Sequence, residues 1–482
     1  MSVPHKSRTE RDSLGTKEVP AEAYYGVETA RAMENFRISG IKPHPDFIRA
    51  TVLVKKAAAE ANLSLGLLDR RIGEAIVKAA DEILQGYLHD QFVVDVYQAG
   101  AGTSHNMNAN EVLANRAIEI LGGRKGDYKL VSPHDNVNMG QSTNDIFPTF
   151  MRVACMLLAR PLIEVLEGLK AAFEAKARDF DHIVKSGRTH LQDASAIRLG
   201  QEFAAYATMI DDDTRRIEFA ADRLLELNLG GTAVGTGLNA DPRYVQLAVR
   251  NLSDYTGFKF RVARNYAALM QSMADFAGFS GTLRTLSLDL TKIANDLRLM
   301  SSGPVTGIGE IVLPPVQPGS SIMPGKINPV MAEMLNMVCF EVMGNDLTVA
   351  MAAQAGQFEL NVMMPVIAYD LTQSLSILTN AINAFTERLV RGIEANEERC
   401  RALLEKSVGI ALALNPFIGY DKAADIAKEA LARGVQLRDV VLEKGLLTRE
   451  QLDKILDPYA LTRPGVQGRE GRKENREKGG LC

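Results

Sequence analysis

The residues best suited to chemistry lie in one stretch, from Gly319 to Pro329, with the sequence Gly-Ser-Ser-Ile-Met-Pro-Gly-Lys-Ile-Asn-Pro. Its two glycines and two prolines exclude a regular helix, so the stretch is predicted to be a loop. Four of its side chains are groups that bind anions: Ser320, Ser321, Lys326 and Asn328. An apolar helix is predicted to follow, and the unpaired N–H groups at its start also favour a carboxylate. The loop is therefore predicted to bind an anion and to act on it.

Two nucleotide-binding motifs are excluded. A P-loop needs four residues between its glycines and a Ser or Thr after its lysine. Here five residues separate Gly319 from Gly325, and an isoleucine follows the lysine. Residues 230–237, Gly-Gly-Thr-Ala-Val-Gly-Thr-Gly, have the wrong glycine spacing for a dinucleotide fingerprint, and no strand is predicted before them. A turn packed near the site is the better interpretation of residues 230–237, and an ordinary surface turn stays open for residues 319–329.

Three further polar segments contain candidate binding residues. Thr103 opens the run Thr-Ser-His-Asn after a glycine-rich stretch, and residues 142–144, Ser-Thr-Asn, have the same design. Hydroxyl and amide residues are also the preferred helix caps, so capping alone would explain either segment. The third segment contains Thr189 and His190. A lone histidine beside a threonine is equally suited to a structural hydrogen bond.

Anion-binding groups of this kind suit the removal of a proton from a carbon next to a carboxylate. That step places a second negative charge on the carboxylate, and each preorganised donor that stabilises an oxyanion is worth about 2.7–4 kcal/mol. A single general base contributes about 10²–10⁴-fold, so several donors matter more than the base. Lys326, Asn328 and Thr189 are predicted donors, with the loop amides. From chemistry alone His190 is the favoured base, because histidine ordinarily titrates near neutrality.

The loop resembles the signature loop of the aspartase/fumarase superfamily. The resemblance extends along the chain, from Ala23-Tyr24-Tyr25-Gly26-Val27 to Asn415-Pro416-Phe417. It implies elimination of a group from a small succinyl substrate to give fumarate, without a metal or an organic cofactor. It also implies a homotetramer in which five long helices of each subunit build the core and each active site takes loops from three subunits.

The resemblance assigns roles that the residues alone leave open. Ser320 becomes the base that removes the Cβ proton, its oxyanion held by Lys326 and amide groups, and His190 orients the substrate. Glu333 matches a position that hydrogen-bonds the histidine and fixes its tautomer. The implied substrate-binding residues are Thr103, Ser142, Thr143 and Ser321 for the β-carboxylate, Asn144 with Thr103 for the leaving ammonium, and Thr189, His190, Met323, Lys326 and Asn328.

The leaving group is a separate question. Residues 142–144 and Ser132 resemble the branch of the superfamily that releases ammonia from aspartate, because fumarases carry two serines and a histidine at these places. Three departures keep other substrates open: Val305 and Met364 replace charged residues, and His105 is unusual. The alternatives are a class II fumarase, a related lyase acting on another succinyl amine and, remotely, a catalytically silent structural relative.

The predicted fold is mainly α, a three-domain subunit around a long central helical bundle. Four leucines, an isoleucine and a methionine recur every three or four residues from Leu283 to Met300, as in a bundle. Pro161 is expected at the first position of a helix, and another helix is expected over residues 350–360. Residues 1–50 are expected to hold short extended or turn segments, with the first long helix beginning near Phe47. The predicted domains are residues 1–141, mixed and mostly helical; 142–396, the bundle; 397–464, a small helical domain; and 465–482, a flexible tail.

Composition narrows the partners and the compartment. The 482 residues carry a formal net charge of −4 and no long basic run, which gives no reason to expect nucleic acid or a membrane as partner. The four cysteines have no metal-ligand spacing and are most simply reduced thiols. No apolar leader segment follows Met1. A cytoplasmic enzyme of a small dicarboxylate or amino acid, without nucleic-acid or membrane partners, is therefore predicted.

Overall fold

The computed structural model describes residues 6–468, and the chain within them is mainly helical, as predicted. The α-helices are α1 Val27–Asn35, α2 Pro45–Ser64, α3 Arg70–Leu84, α4 Thr103–Ile120, α5 Thr143–Asp179, α6 Leu199–Arg223, α7 Pro242–Thr256, α8 Tyr266–Gln271, α9 Ala274–Met300, α10 Val330–Gln354, α11 Met364–Arg388, α12 Glu397–Lys406, α13 Asn415–Ile418, α14 Tyr420–Arg433, α15 Leu437–Glu443 and α16 Arg449–Ile455. The strands are β1 Ser7–Asp12, β2 Gly15–Pro20, β3 Val184–Thr189, β4 Gln192–Arg198, β5 Glu226–Leu227, β6 Arg261–Val262, β7 Ile311–Val312 and β8 Glu394–Ala395.

The strands form four separate two-stranded pairs. Three pairs are antiparallel, β1 with β2, β3 with β4 and β7 with β8, and β5 pairs in parallel with β6. The hairpin of β3 and β4 contains an irregularity in its pairing after Ser186. It carries two of the predicted site residues, so the strands, although few, position part of the site.

Five helices have 25 residues or more in the described part of the chain: α5, α6, α9, α10 and α11. This agrees with the prediction of five long helices. The stripe predicted from Leu283 to Met300 lies on α9, and its members are 0–6% exposed. Their burial follows from the spacing of three and four residues, which places apolar side chains on one face of a helix.

The chain divides into two compact units, each built from three segments. The first contains the residues up to Glu167, Asp212–Thr291 and Met334–Ile382. The second contains Gly168–Asp211, Lys292–Glu333 and the residues from Asn383 onward. An N-terminal apolar core, including Val52, Ile76 and Leu113, lies in the first unit, and a separate C-terminal core around Leu414 and Val440 lies in the second. The division into three domains at residues 141 and 396 stays a prediction.

Two helix boundaries differ from the sequence prediction. Pro161 does not begin a helix, because α5 starts at Thr143 and contains both Pro148 and Pro161. Ile146 and Phe150 upstream are fully buried, and their burial compensates for the hydrogen bonds that the prolines remove. The helix expected over residues 350–360 ends at Gln354. The chain then turns through Gly356, whose Cβ would lie 2.9 Å from a backbone oxygen.

Two local predictions, one at the N-terminus and one near the glycine-rich turn, differ from the structure in part. The short β1–β2 hairpin agrees with the short extended segments predicted for residues 1–50, and α2 begins at Pro45, close to Phe47, but α1 was not predicted. A short strand, β5, does precede residues 230–237. This strand has two residues and pairs with another two-residue strand, so it is too short to show the alternation of apolar and polar residues that identifies a strand in a sequence.

Other predictions concern the membrane, the cysteines and the tail. Within residues 6–468 one helix, α5, is long and apolar enough to cross a membrane, but 78% of its most apolar window is buried inside the chain, as in the core of a helical bundle. Cys155, Cys339 and Cys400 are buried and free. Cys482 and most of the predicted flexible tail, residues 469–482, lie outside the described residues.

A carboxyl pair in the first unit makes stability depend on pH. The side chain of Asp213 on α6 is 1% exposed and accepts a 2.6 Å bond from Arg216. Burial raises the pKa of Asp213 from 3.8 to about 6, Arg216 lowers it, and the nearby Asp289 on α9 raises it further. Because the pKa is higher in the folded chain than in the unfolded one, this group stabilises the fold at low pH. That contribution is lost as the pH rises from about 4 to about 6.

We therefore expect Asp213→Asn, which stays neutral, to melt at a higher temperature than the wild type above pH 6 and to lose this advantage near pH 4. The measurement is the melting temperature at fixed protein concentration across this pH range. Asp212→Asn, at the exposed neighbouring position, is the control and should show no such dependence. A difference between Asp213→Asn and wild type that stays constant with pH would contradict the assignment.

Candidate active site

The loop predicted from the sequence is closed by its own backbone. The amide of Gly319 donates to the carbonyl oxygen of Lys326 at 2.8 Å, and Nδ2 of Asn328 donates to the carbonyl oxygen of Gly319 at 2.6 Å. A Cβ at Gly319 would lie 2.4 Å from the same Lys326 oxygen, so glycine is required there. Gly325 has φ +80°, which glycine adopts without strain. The predicted loop is therefore a closed turn, and its two glycines have steric reasons.

The hydroxyl of Ser320 lies where two backbone amides point. Its Oγ accepts hydrogen bonds from the amides of Ile322, at 3.2 Å, and Met323, at 2.9 Å. Two N–H donors aimed at one oxygen stabilise negative charge on it. The arrangement therefore favours the alkoxide form of this serine.

Most of the loop faces solvent in the single chain. Ser321, Met323 and Lys326 are exposed, and Ile322 is 84% exposed. Ser320 and Asn328 are half-buried. An apolar side chain so fully in water lacks a packing partner in its own chain. The loop is thus presented outward, with its ammonium group accessible.

Thr189 and His190 lie at the tip of the β3–β4 hairpin and are exposed. Both turn residues, His190 and Leu191, have positive φ values, 55° and 59°. A tight hairpin turn needs this conformation at two positions, which asparagine and glycine usually occupy. Non-glycine residues held there store strain, and such strain is concentrated at functional sites. The hairpin was not predicted, although the Thr-His pair was.

In the first unit, the starts of α4 and α5 lie together. Thr103 is the exposed first residue of α4, directly after Gly102 with φ +85°. Asn106, one turn later, donates from Nδ2 to Oγ1 of Thr143 at 3.3 Å. Ser142 caps α5, its Oγ accepting from the amide of Asn144 at 3.3 Å. Ser142 is therefore a helix cap, and the half-buried residues 142–144 form a hydroxyl and amide cluster with Asn106, beside the exposed Thr103.

Asp145 joins this cluster to the glycine-rich turn. Its buried carboxylate accepts from the amides of Ser142 at 2.8 Å, Gly230 at 2.8 Å and Thr232 at 3.0 Å. Asn144 adds a bond from Nδ2 to the carbonyl oxygen of Ala233 at 2.8 Å. Burial raises the pKa of Asp145 to about 7, and the three amides oppose that rise. The turn at residues 230–237 is therefore packed against the predicted binding residues 142–144, as expected.

Sequence reasoning did not single out the buried polar layer beneath these residues. Lys55 is fully buried and donates to Asn138 at 3.0 Å and to Gln141 at 2.8 Å. Burial lowers its pKa well below the ordinary value. A lysine within an apolar helical stretch was the only available signal, and nothing in its spacing distinguished it from a surface residue.

The three departures from the family pattern have different environments. His105 is fully buried beside phenylalanines, with Nε2 2.8 Å from Oγ1 of Thr51. Burial and the nearby lysine lower its pKa to about 3, so it is neutral. Met364 is also fully buried, where a charge would be costly, whereas Val305 is 85% exposed. None of these side chains therefore adds a charge to the site.

The prediction for Glu333 concerns a contact with the histidine. Glu333 lies in the first turn of α10, and its amide donates to the carbonyl oxygen of Pro329 at 3.1 Å. Within residues 6–468 of a single chain, no hydrogen bond joins Glu333 to His190.

The same described residues contain no group of three or more His, Cys, Asp or Glu side chains placed to hold a metal.

Comparisons with known proteins agree with the signature loop. A family model described as Lyase matches residues 15–344, and one described as Fumarase C C-terminus matches residues 410–463. The chain is 52% identical to an aspartate ammonia-lyase of Bacillus sp, over 96% of this chain and 99% of that protein. It is 48% identical to the aspartate ammonia-lyase of Escherichia coli strain K12, over 96% and 97% of the two chains.

Solved structures of fumarate lyases also match this chain. The structure of a fumarate lyase:delta crystallin from Brucella melitensis matches with a TM-score of 0.92 and 50% identity, covering 95% of this chain and 100% of that one. A class II fumarase from Schistosoma mansoni matches with a TM-score of 0.91 and 36% identity, covering 95% and 99%. The resemblance inferred from the sequence is confirmed, and the chain belongs to the aspartase/fumarase superfamily of lyases.

Proposed function

We propose that this chain is an aspartate ammonia-lyase, which eliminates ammonia from L-aspartate to give fumarate and catalyses the reverse addition. Relatives with this name and about half of their residues identical over nearly the whole chain support the activity and the prediction of a carbon–nitrogen lyase. The observation that carries the mechanism is the Ser320 hydroxyl, whose oxygen accepts two backbone N–H groups.

In the proposed reaction the alkoxide of Ser320 takes the proton from Cβ of aspartate. The electron pair of the C–H bond moves into the neighbouring carboxylate, which becomes an aci-carboxylate with two negative charges. This pair then forms the Cα–Cβ double bond as the Cα–N bond breaks and ammonia leaves. A serine serves as base because the two amides and the ammonium group of Lys326 stabilise its oxyanion when the loop closes over the substrate.

The other predicted residues bind the two ends of the substrate. Neutral hydroxyl and amide groups hold the β-carboxylate and the ammonium without binding the product too tightly, and they are Thr103, Ser142, Thr143, Asn144 and Ser321. The remaining groups orient the substrate and complete the clamp on its charge, with Glu333 fixing the histidine tautomer: Thr189, His190, Met323, Lys326 and Asn328. No metal or organic cofactor takes part in this proposal.

We propose further that the protein is a cytoplasmic homotetramer whose sites each take loops from three subunits. Helix α10 supports assembly, because four large apolar side chains on it are exposed in the single chain. They are Met337 at 64%, Phe340 at 57%, Leu347 at 63% and Met351 at 59%. Their spacing of three, seven and four residues places them on one face of α10. An apolar face of this size is typical of an interface.

The second candidate function is a fumarase acting on L-malate, which the departures at Val305 and Met364 keep open. We expect the purified protein to form fumarate from L-aspartate, followed by ultraviolet absorbance, at a rate far above that from L-malate. Substituted amines of succinate in the same assay test for a different leaving group. Fumarate from malate alone would overturn the proposal in favour of a fumarase. The absence of product from every substrate would favour a silent relative.

A further inference from the structure

The hairpin that carries Thr189 and His190 is fixed from below by one buried carboxylate, that of Glu310. The side chain of Glu310 is 0% exposed. Arg188 donates to it from Nη1 at 3.0 and 3.1 Å and from Nη2 at 3.0 Å. Lys185 lies 2.9 Å from the same carboxylate. Both cations therefore converge on one acceptor. Arg188 directly precedes the exposed Thr-His pair, and Lys185 lies three residues before Arg188.

The pairing of the hairpin is irregular between the two cations. Side chains three residues apart on a regular strand point to opposite faces. Here Ser186 pairs with Ala196 but Arg188 pairs with Asp193, so one residue on β3 faces two on β4. Such a bulge increases the local twist of a hairpin. The residue at the bulge is Gly187, where a Cβ would lie 2.7 Å from the carbonyl oxygen of Ser195.

Glu310 is itself held by backbone bonds on both sides. Its amide donates to the carbonyl oxygen of Met300, the last residue of α9, at 2.8 Å. Its carbonyl oxygen accepts from the amide of Asn396 at 2.9 Å, directly before α12. The carboxylate is thus anchored to two helix ends, and Arg188 extends this anchor to the residue before Thr189.

We infer that Glu310 is a positioning residue: through Arg188 it holds Thr189 and the strained turn residue His190 in the orientation that binds the substrate carboxylate. The inference rests on the proposed function, because it gives those two residues a substrate to bind. A planar guanidinium held by both oxygens of a carboxylate has little freedom to rotate. The turn beyond Thr189 is strained, since its two residues, His190 and Leu191, have positive φ.

The chain supplies a matched control. Glu202 is a second carboxylate of the same cluster, and Lys185 donates to its two oxygens at 2.8 and 3.0 Å. Burial raises the pKa of Glu202, and Lys185 opposes that rise. No hydrogen bond joins Glu202 to Arg188 within the described residues. Glu202→Gln therefore removes a charge from the same cluster while the Arg188–Glu310 contact remains.

We expect Glu310→Gln to lower kcat/KM for aspartate by about 10- to 100-fold, mainly through KM, since a small misplacement of binding groups has effects of this size. Glu202→Gln should stay within about threefold of wild type, because in the described part of the chain Glu202 makes no hydrogen bond to Arg188, and Lys185 keeps its contact with Glu310. Arg188→Gln should match Glu310→Gln, and the double variant should be no worse than either single one, because the two residues act through one contact. Arg188→Gln keeps the test available should Glu310→Gln fail to fold.

Binding of succinate, measured by calorimetry, separates this inference from the proposed function. It needs no turnover, and Glu310→Gln and Arg188→Gln should weaken it about as much as they raise KM. A wild type that binds succinate without acting on aspartate would contradict only the proposed activity. Equal losses of succinate affinity in the Glu202 and Glu310 variants would overturn the positioning role. Near-normal succinate binding in folded Glu310→Gln and Arg188→Gln would overturn it too. So would a wild type that binds no dicarboxylate.

Discussion

Replacing Ser320 by alanine is expected to lower kcat for L-aspartate by about 10³-fold or more while the protein stays folded and assembled. A general base contributes about 10²–10⁴-fold, and the proposed base is also the atom on which two backbone amides converge. Alanine removes that oxygen but leaves the loop backbone closed by the bond between Gly319 and Lys326. The measurement is fumarate formation at saturating aspartate, with size-exclusion chromatography to verify assembly.

Ser321→Ala is the matched control for this variant. The two serines are adjacent, but only Ser320 accepts the pair of amide bonds. Because Ser321 is proposed to bind a carboxylate, its loss should raise KM far more than it lowers kcat. A second readout is exchange of the Cβ hydrogen of aspartate with deuterated water, which should disappear only in Ser320→Ala. Turnover within about tenfold of wild type in Ser320→Ala would remove this serine from the role of base.

The sequence was sufficient for the loop and for the helical class, for physical reasons. The loop combines glycines, prolines and anion-binding groups, and both glycines have a physical reason: a Cβ at Gly319 would meet a backbone oxygen, and Gly325 has positive φ. The stripe on α9 repeats often enough for its period to be measured, and its residues are buried. Long patterns and unusual compositions are therefore visible without a structure.

What the sequence did not predict depends on contacts between distant segments. The hairpin under His190 is stabilised by Glu310, which is far away along the chain and looks like any other glutamate. Pro161 looked like a helix start because proline is over-represented at the first helical position, but burial of the residues before it extends α5 through the proline. The polar layer around Lys55 was equally hidden, since a buried lysine and a surface lysine are identical in a sequence.

Mixed assemblies of two inactive variants are expected to regain activity if each site takes its loops from different subunits. Ser320→Ala changes the loop of residues 319–329, and Asn144→Ala changes the cluster at the start of α5. Each variant alone lacks one group at every site. In a mixed tetramer some sites combine an intact loop from one copy with an intact cluster from another. For equal mixing about a quarter of the sites are intact, so activity should rise from near zero to about that fraction of wild type.

The matched control pairs Ser320→Ala with Lys326→Ala, two changes in the same loop. Every site takes this loop from one copy, so no mixed assembly contains an intact loop, and activity should stay at background. The mixed proteins are made by co-expression with two different affinity tags, purified through both, and assayed for fumarate. Recovery in the control as well would mean that the loops exchange or that the variants are not truly inactive. If the Ser320→Ala and Asn144→Ala mixture is no more active than this control, the loop and the cluster of each site come from one subunit. The exposed face of α10 would then form a subunit interface that does not bring these two parts of the site together.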